Sequence, residues 1–232
     1  MIALWIACTS QAGELVTGPG SSTDADPEPE ETAVAESQPA EPTFSCSAEA
    51  LSQDERNAMA GVTWHEGCPV ALDDLVVLRP SHWDMGGEVQ TGELVIAATH
   101  ADDLEQVFSG LFDARFPIRS MRPAREYGGD DDATMAADNT SAFNCRKTTG
   151  GSSYSQHSYG HAIDLNPVEN PYVKGGLVLP PEGAAYTDRD GSVPGLIVAG
   201  DAVTSAFAAI GWGWGGDWSS LKDYQHFSAN GL

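Results

Sequence analysis

Two candidate metal ligands lie seven residues apart in the stretch SQHSYGHAID, which spans residues 155–164. His157 and Asp164 offer a ring nitrogen and a carboxylate oxygen, both of which zinc accepts as ligands. Gly160, between them, allows the backbone to turn tightly. A carboxylate in a strand whose neighbours face the core is costly to bury unless it is paired or bound to a metal. These residue types and their spacing therefore predict a metal site.

A third candidate ligand, His226, lies three residues after Asp223 in the stretch KDYQHF. Residues three apart in a regular strand face opposite sides, so the chain must turn between Asp223 and His226 for both to serve one site. The preceding stretch GWGWGGDW (211–218) predicts an aromatic wall, with Trp214 as a substrate-binding or supporting residue. The alternative is that these tryptophans belong to the core at the edge of a strand.

The two motifs together resemble a known family. The pattern S-x-H-x-x-G-x-A-x-D at residues 155–164, followed by D-x-x-H at 223–226, is similar to that of the M15 family of zinc D-alanyl-D-alanine carboxypeptidases and related peptidoglycan endopeptidases. The segments NTSAFNCR (139–146) and AIDLNPVENPYV (162–173) resemble its D-Ala-D-Ala carboxypeptidase-like branch. The resemblance covers roughly residues 60–231, with the motifs in the family's order. It implies an M15/hedgehog-like zinc peptidase domain.

The resemblance also implies a role for each motif residue. It implies a Zn²⁺ ion held by three protein ligands, with a water at the fourth position, as catalytic zinc sites require. Asp223 takes the place of the family's general base, and Arg146 matches the arginine that stabilises the oxyanion. Ser141 and Ser155 lack the sequence setting of serine nucleophiles, so we expect them to bind substrate or support the site. The implied zinc ligands are His157, Asp164 and His226.

The activity that the resemblance implies is hydrolysis of amide bonds in peptidoglycan stem peptides by a zinc-activated water. The motifs fit either a D-Ala-D-Ala carboxypeptidase or a related endopeptidase. Two alternatives stay open: a catalytically silent peptidoglycan-binding envelope lipoprotein that keeps the fold, and a zinc hydrolase of another small D-amino-acid peptide. We expect a monomer whose partners are peptidoglycan stem peptides.

The charge of the chain excludes other partners. Its 232 residues carry 34 acidic and 11 basic side chains, which gives a formal net charge of −23. Affinity for nucleic acid comes largely from basic side chains that displace counterions, so a nucleic-acid partner is excluded. Attachment to anionic lipid through basic residues is excluded for the same reason. The first 60 residues hold 11 of the acids and one base, which sets them apart from the rest.

The amino-terminal region predicts export. Residues 1–17 are typical of a signal or lipoprotein-like segment, because a short apolar run leads to Cys8, a candidate lipidation site. Residues 18–44 are rich in Pro, Glu, Ser and Ala without apolar periodicity, and they predict an acidic, disordered linker. We therefore expect an exported protein of the cell envelope, held to the membrane only through a lipid on Cys8.

Residues 45–232 are predicted to form one α+β domain, with a small antiparallel sheet flanked by helices. Apolar residues at helical spacing predict the helices, and short apolar runs bounded by turn residues predict the strands. The predicted helices span residues 102–115 and 201–210, the strands 91–98, 116–121 and 162–166, and a long polar loop 122–152.

Cysteine spacing predicts one disulfide in this domain. Cys46 and Cys68 are close in sequence on a chain that we expect to be exported, so we predict that they pair. Cys145 is then left single and buried. None of the cysteine spacings fits a zinc finger.

Three arginines lie near an acidic run. Arg119, Arg122 and Arg125 either meet the carboxylate of an anionic substrate or pair with Asp130–Asp132. The acidic run lacks the spacing of an EF-hand, so a solvated loop is favoured over a calcium site.

Overall fold

The structure, a computed structural model, describes residues 41–148, 151–190 and 193–232. The predicted signal segment 1–17 with Cys8, and most of the predicted linker 18–44, lie outside these residues. In the described part of the chain, no helix is both long enough and apolar enough to cross a membrane. Residues 41–232 form one unit by their mutual contacts.

Short strands and few helices make up the described chain, because glycine, proline and polar residues interrupt its apolar runs. The helices are α1 (Gln53–Met59), α2 (Ala101–Asp113), α3 (Asp131–Ala136) and α4 (Ala202–Ala209). The strands are β1 (Ala48–Ala50), β2 (Leu75–Leu78), β3 (Ser81–Trp83), β4 (Val89–Thr91), β5 (Leu94–Ala97), β6 (Ser120–Met121), β7 (Asn139–Thr140), β8 (Ala162–Asp164), β9 (Tyr172–Lys174), β10 (Leu177–Leu179), β11 (Gly213–Trp214), β12 (Lys222–Asp223) and β13 (His226–Ser228). A mixed domain with small antiparallel sheets was expected and is found, whereas the M15/hedgehog-like fold stays a prediction.

One three-stranded sheet contributes much of the core. Its strands β2 and β5 have the sequences LVVL and LVIA, pair antiparallel, and are almost wholly buried. Short continuous apolar runs of this kind are typical of strands covered on both faces. β1 pairs with the free edge of β2 and is exposed.

Helix α2 covers the core because its apolar residues recur at helical spacing. All five residues of this apolar stripe are buried, and the helix packs against α4. The helix predicted over residues 102–115 is confirmed, with its ends at Ala101 and Asp113. The stripe consists of Leu104, Val107, Phe108, Leu111 and Phe112.

Two further three-stranded sheets position the predicted site residues. In one, β13 lies between β11 and β8 and places His226 directly opposite Asp164. In the other, β9 lies between β10 and β12 and places Asp223 opposite Tyr172. The single sheet expected from the sequence is therefore replaced by several small ones, because turns limit the strands to two to four residues.

The predicted polar loop 122–152 contains regular structure. Asp130 caps α3 by accepting a hydrogen bond from the backbone amide of Ala133, and Thr134 and Met135 of that helix are buried. Strand β7 then pairs in parallel with β6. A helix of six residues is too short to produce visible apolar periodicity, so the sequence pattern missed it.

The three arginines near this segment pair with acids other than the run Asp130–Asp132. The expected alternative of pairing with Asp130–Asp132 is therefore wrong, since their partners come from elsewhere in the domain. The ion pairs are Arg119 with Asp138 and Glu169, Arg122 with Glu126, and Arg125 with Glu93.

The predicted disulfide between Cys46 and Cys68 is wrong. Cys68 is bonded to Cys145, 77 residues further along the chain, and Cys46 is a free thiol. Cys46 packs against the core around α2, whereas Cys68 and Cys145 belong to a separate cluster of buried side chains. Burial raises the pKa of the Cys46 thiol to about 11. Proximity in sequence therefore did not bring the first two cysteines together.

Candidate active site

The three predicted metal ligands converge at one point. His157 Nε2 lies 3.1 Å from Asp164 Oδ2, and His226 Nδ1 lies 2.9 Å from Asp164 Oδ1. The two ring nitrogens are 3.3 Å apart. All three side chains are buried, and their nitrogen and oxygen atoms lie within reach of one metal ion.

Backbone oxygens fix which nitrogen of each ring faces this centre. His157 Nδ1 lies 2.6 Å from the carbonyl oxygen of Ala142, and His226 Nε2 lies 3.2 Å from the backbone oxygen of Leu232. A backbone oxygen only accepts hydrogen bonds, so each outer ring nitrogen carries a proton and donates it. In a neutral ring the inner nitrogen then has a free lone pair. Both histidines are therefore oriented as metal-binding histidines are.

A tight turn carries His157. Gln156–Tyr159 form one 3₁₀ turn, and the Ser155 hydroxyl caps it by accepting a hydrogen bond from the His157 amide. Gly160 ends the turn with a φ of 70°. A Cβ at Gly160 would lie 2.5 Å from the backbone nitrogen of Ala97, so glycine is required there for space and for conformation. Ser155 thus shapes the turn that presents His157.

Strand β8 holds Asp164 between two partners. His226 of β13 lies opposite on one side, and the backbone of Ser141 exchanges two hydrogen bonds with that of Asp164 on the other. Ser141 therefore contacts the site through its main chain. Burial alone would raise the pKa of Asp164, but His157 and His226 outweigh it and hold that pKa below its usual range. The carboxylate stays ionised.

A turn at residues 224–225 separates Asp223 from His226, as the three-residue spacing requires. Trp214 Nε1 donates a 2.8 Å hydrogen bond to the carbonyl oxygen of Tyr224 and so stabilises this turn. The predicted substrate-binding role of Trp214 is not borne out by its position, because its ring is buried in the core beside Phe227. Its contact is that of a supporting residue.

Asp223 approaches the main chain where the sequence is rich in glycine. A Cβ at Gly215 would lie 2.5 Å from the Asp223 carbonyl oxygen, so only glycine leaves room for this contact. Burial, and after it the charge of Asp164, raise the pKa of Asp223 to about 7. Among the described residues, no group hydrogen-bonds the buried Oδ1 of Asp223. An acid that titrates near neutrality and has a free oxygen is suited to accept and return a proton.

A cavity of about 350 Å³ opens over this centre. Its volume lies at the lower end of the range for small-molecule sites, about 300–1,000 Å³. Trp218 forms part of its wall, with its ring centroid 5.4 Å from that of His226. Motif reasoning missed Tyr172, although the residue lies in the segment 162–173. The lining residues include Arg146, Tyr154, His157, Asp164, Tyr172, Trp218, Asp223 and His226.

Arg146 lines the same cavity, and Asp131 is its ionic partner. Arg146 Nη2 lies 2.9 Å from Asp131 Oδ2. Burial raises the pKa of Asp131, although Arg146 acts against this shift. Sequence reasoning placed Asp131 in a solvated loop and missed this contact. The available signal was the run of acids Asp130–Asp132, which begins a helix.

A second group of His and Cys side chains, formed by His65, Cys68 and Cys145, is also close enough to hold a metal. Its two sulfur atoms are joined in a disulfide, so neither is a thiolate ligand. Of the two groups found in the described part of the chain, the one at His157, Asp164 and His226 is therefore the better candidate for a metal centre.

Comparison with known proteins finds a family match in the segment that carries these residues. The M15 peptidase family model described as D-alanyl-D-alanine carboxypeptidase matches residues 149–229, about a third of the chain. Neither the curated proteins nor the solved structures give a match. The matched segment 149–229 carries His157, Asp164, Asp223 and His226, so the likeness to the M15 family of D-alanyl-D-alanine carboxypeptidases falls on the candidate site.

Proposed function

We propose that this chain hydrolyses amide bonds in peptidoglycan stem peptides with the help of zinc, as a D-Ala-D-Ala carboxypeptidase or a related endopeptidase. The observation that carries the proposal is the convergence of His157, Asp164 and His226 in the cavity that Asp223 and Arg146 also line. A metal centre, a proton acceptor and a cation are thus available to one substrate.

The chemistry of the inner ligand atoms fits zinc. Ligand atoms about 2.0–2.2 Å from a tetrahedral zinc ion lie roughly 3.3 Å from each other. The two ring nitrogens are 3.3 Å apart, and His157 and His226 lie 3.1 and 2.9 Å from different oxygens of Asp164, so these separations are close to that value. With no metal, Asp164 outweighs the effect of burial and raises the pKa of His226, so the centre favours a positive charge. Zinc would supply such a charge, and its binding displaces protons from its ligands.

Asp223 is the proposed general base and acid. When bound, zinc supplies Lewis acidity and lowers the pKa of water towards 7. Asp223 accepts a proton from the attacking water through its unpartnered Oδ1 and delivers it to the amine that leaves. The glycine at position 215 allows Asp223 to sit close to the main chain within the cavity wall.

Arg146 is the proposed oxyanion donor. The carbonyl oxygen of the scissile amide gains negative charge as the tetrahedral intermediate forms, and a preorganised donor stabilises that charge. All eleven lysines and arginines of the chain lie in its described residues, and among them Arg146 is the one that lines the cavity. Arg146 is therefore the side-chain cation best placed to meet the developing oxyanion or a carboxylate group of the substrate.

The proposed location is the cell envelope, where peptidoglycan is found. We propose from its composition that the acidic, proline-rich stretch 18–44 acts as a tether, because linkers rich in proline and in like charges are generally stiff and extended. A lipid on Cys8 would then hold the domain at the membrane within reach of the wall. Labelling with a radioactive fatty acid, with Cys8→Ser as the control, tests this anchor.

Metal content and product analysis test the function. The full-length chain is purified with zinc, its zinc content is measured, and it is incubated with purified peptidoglycan and with a stem pentapeptide. Release of D-Ala alone identifies a carboxypeptidase, and new internal ends detected by mass spectrometry identify an endopeptidase. His157→Ala should lose both zinc and activity.

Three outcomes would contradict the proposal. A zinc-loaded chain that binds peptidoglycan but releases no product would favour the catalytically silent lipoprotein. Activity restricted to other small D-amino-acid peptides would favour the alternative hydrolase. Full activity after removal of zinc by a chelator would exclude the metal mechanism itself.

A further inference from the structure

The backbone of Arg146 is fixed from several directions. Its amide donates a 2.9 Å hydrogen bond to the hydroxyl of Ser158, and its carbonyl oxygen accepts one from the amide of Ser155. The preceding residue, Cys145, is joined to Cys68 by the disulfide. These contacts fix where the Arg146 side chain begins, but they leave its torsions free.

The guanidinium has one charged partner in the described part of the chain, Asp131. Its Nη1 donates only to the neighbouring carbonyl oxygen of Lys147, and its buried Nε has no hydrogen-bond partner there. A free arginine side chain carries about 2 kcal/mol of rotamer entropy. The contact with Asp131 therefore decides where the charge of Arg146 is held.

Asp131 is itself anchored to the other half of the site. It is the first residue of α3, whose buried Met135 accepts a 3.6 Å hydrogen bond at its sulfur from Gln225 Nε2. Gln225 is buried in the turn between Asp223 and His226. Helix α3 thus connects the partner of Arg146 with the segment that carries the general base and a ligand.

We infer that Asp131 is a positioning residue that holds the Arg146 guanidinium in the orientation needed for catalysis. The inference rests on the proposed function. The carboxylates that line the cavity with Arg146 are Asp164 and Asp223. With zinc bound to Asp164, the guanidinium would be free without Asp131 to turn towards Asp223, where it would pair with the general base. Misplacement of about 1 Å at such a site can cost about 100-fold in rate.

The test compares Asp131→Ala with Asp132→Ala in the full-length, zinc-loaded chain. Asp132 is the next residue, also acidic in the first turn of α3, and exposed. For Asp131→Ala we expect kcat on a stem pentapeptide to fall by about 10-fold or more, with KM changed by less than about threefold. We expect Asp132→Ala to keep the wild-type kcat. Zinc content and melting temperature should be the same in both variants.

A double-mutant cycle separates positioning from a general structural effect. If Asp131 acts through Arg146, then Asp131→Ala should lower kcat by less than about twofold in a chain that already carries Arg146→Ala. Asp131→Glu, which keeps the charge, should recover part of the lost rate. An unchanged or raised kcat for Asp131→Ala, or a full further loss in the Arg146→Ala background, would overturn the inference while leaving the proposed function intact. An inactive wild-type chain would instead contradict the proposed function, and with it this inference.

Discussion

A buried pair of acids away from the cavity gives the chain a specific dependence of stability on pH. Glu169 is 2% exposed, and its Oε1 accepts a hydrogen bond from Arg119 Nη2. Its Oε2 has no donor among the described residues, and the carboxyl group of Asp138 is its neighbour. Arg119 also donates to Asp138, so one guanidinium serves two carboxyl groups. When Glu169 is protonated, its carboxyl group can donate a hydrogen bond to the carboxylate of Asp138.

Burial, followed by the contact with Asp138, raises the pKa of Glu169 to about 7 from an ordinary value of 4.5. The unfolded chain releases this proton near pH 4.5, whereas the folded chain keeps it until about pH 7. The folded state therefore binds more protons between these values, and stability falls as pH rises through this window. At 1.36 kcal/mol per pKa unit, the whole shift corresponds to about 3 kcal/mol. About 2 kcal/mol of it is lost between pH 5 and pH 8.

Glu169→Gln isolates this contribution. The glutamine amide can accept from Arg119 and donate to Asp138, as a protonated glutamate does, but it does not titrate. We expect the free energy of unfolding of Glu169→Gln, minus that of the wild type, to increase by about 2 kcal/mol from pH 5 to pH 8. Unfolding in urea, monitored by tryptophan fluorescence, measures this difference in the free energy of unfolding. Using the difference removes the contribution of other titrating groups.

Glu126→Gln is the matched control, because Glu126 also pairs with an arginine, Arg122, but is partly exposed. The free energy of unfolding of Glu126→Gln, minus that of the wild type, should stay nearly constant over the same pH range. A constant difference for Glu169→Gln as well would show that the carboxyl group is already ionised in the folded chain. The assignment of a shared proton would then be wrong.

Three further predictions concern the site and its supports. Asp223→Asn should keep zinc but lower kcat by about 100-fold, the loss expected for a general base, and full activity would exclude that role. Replacing both Cys68 and Cys145 by serine should lower the free energy of unfolding in urea by about 2–4 kcal/mol, and unchanged stability would argue against this disulfide. Gly215→Ala should lower kcat by displacing Asp223, whereas Gly176→Ala, where a Cβ meets nothing within 4 Å, should leave kcat unchanged.

Two of the three candidate metal ligands could be predicted from sequence because the spacing between them is local. His157 and Asp164 lie in one short segment, and the spacing from Asp223 to His226 already required the turn that separates them. The pairing of β13 with β8, which brings His226 to Asp164, is a long-range contact. Only the resemblance to a family predicted that all three side chains meet.

The cysteine pairing and the partner of Arg146 could not be predicted in this way. Both depend on which residues meet across the fold, and neither leaves a periodic pattern in the sequence. Cys46 and Cys68 are near each other in the chain but pack in different cores. Asp131 begins a helix of six residues, which an amphipathic pattern does not reveal.

The charges around the cavity form one electrostatic unit with the proposed metal. Among the described residues, Arg146 supplies the single guanidinium of the cavity, with the carboxylates of Asp164 and Asp223 in the same lining and that of Asp131 paired to it. A divalent cation balances the two negative charges that Arg146 alone leaves over when all three acids are ionised. Without that cation, burial and Asp164 raise the pKa of Asp223 to about 7, and Asp164 also raises the pKa of His226. The site therefore restores part of the balance by binding protons more tightly. Metal binding, the protonation of Asp223 and the pairing of Arg146 with Asp131 are therefore linked, and a change in one of them alters the free energy of the other two.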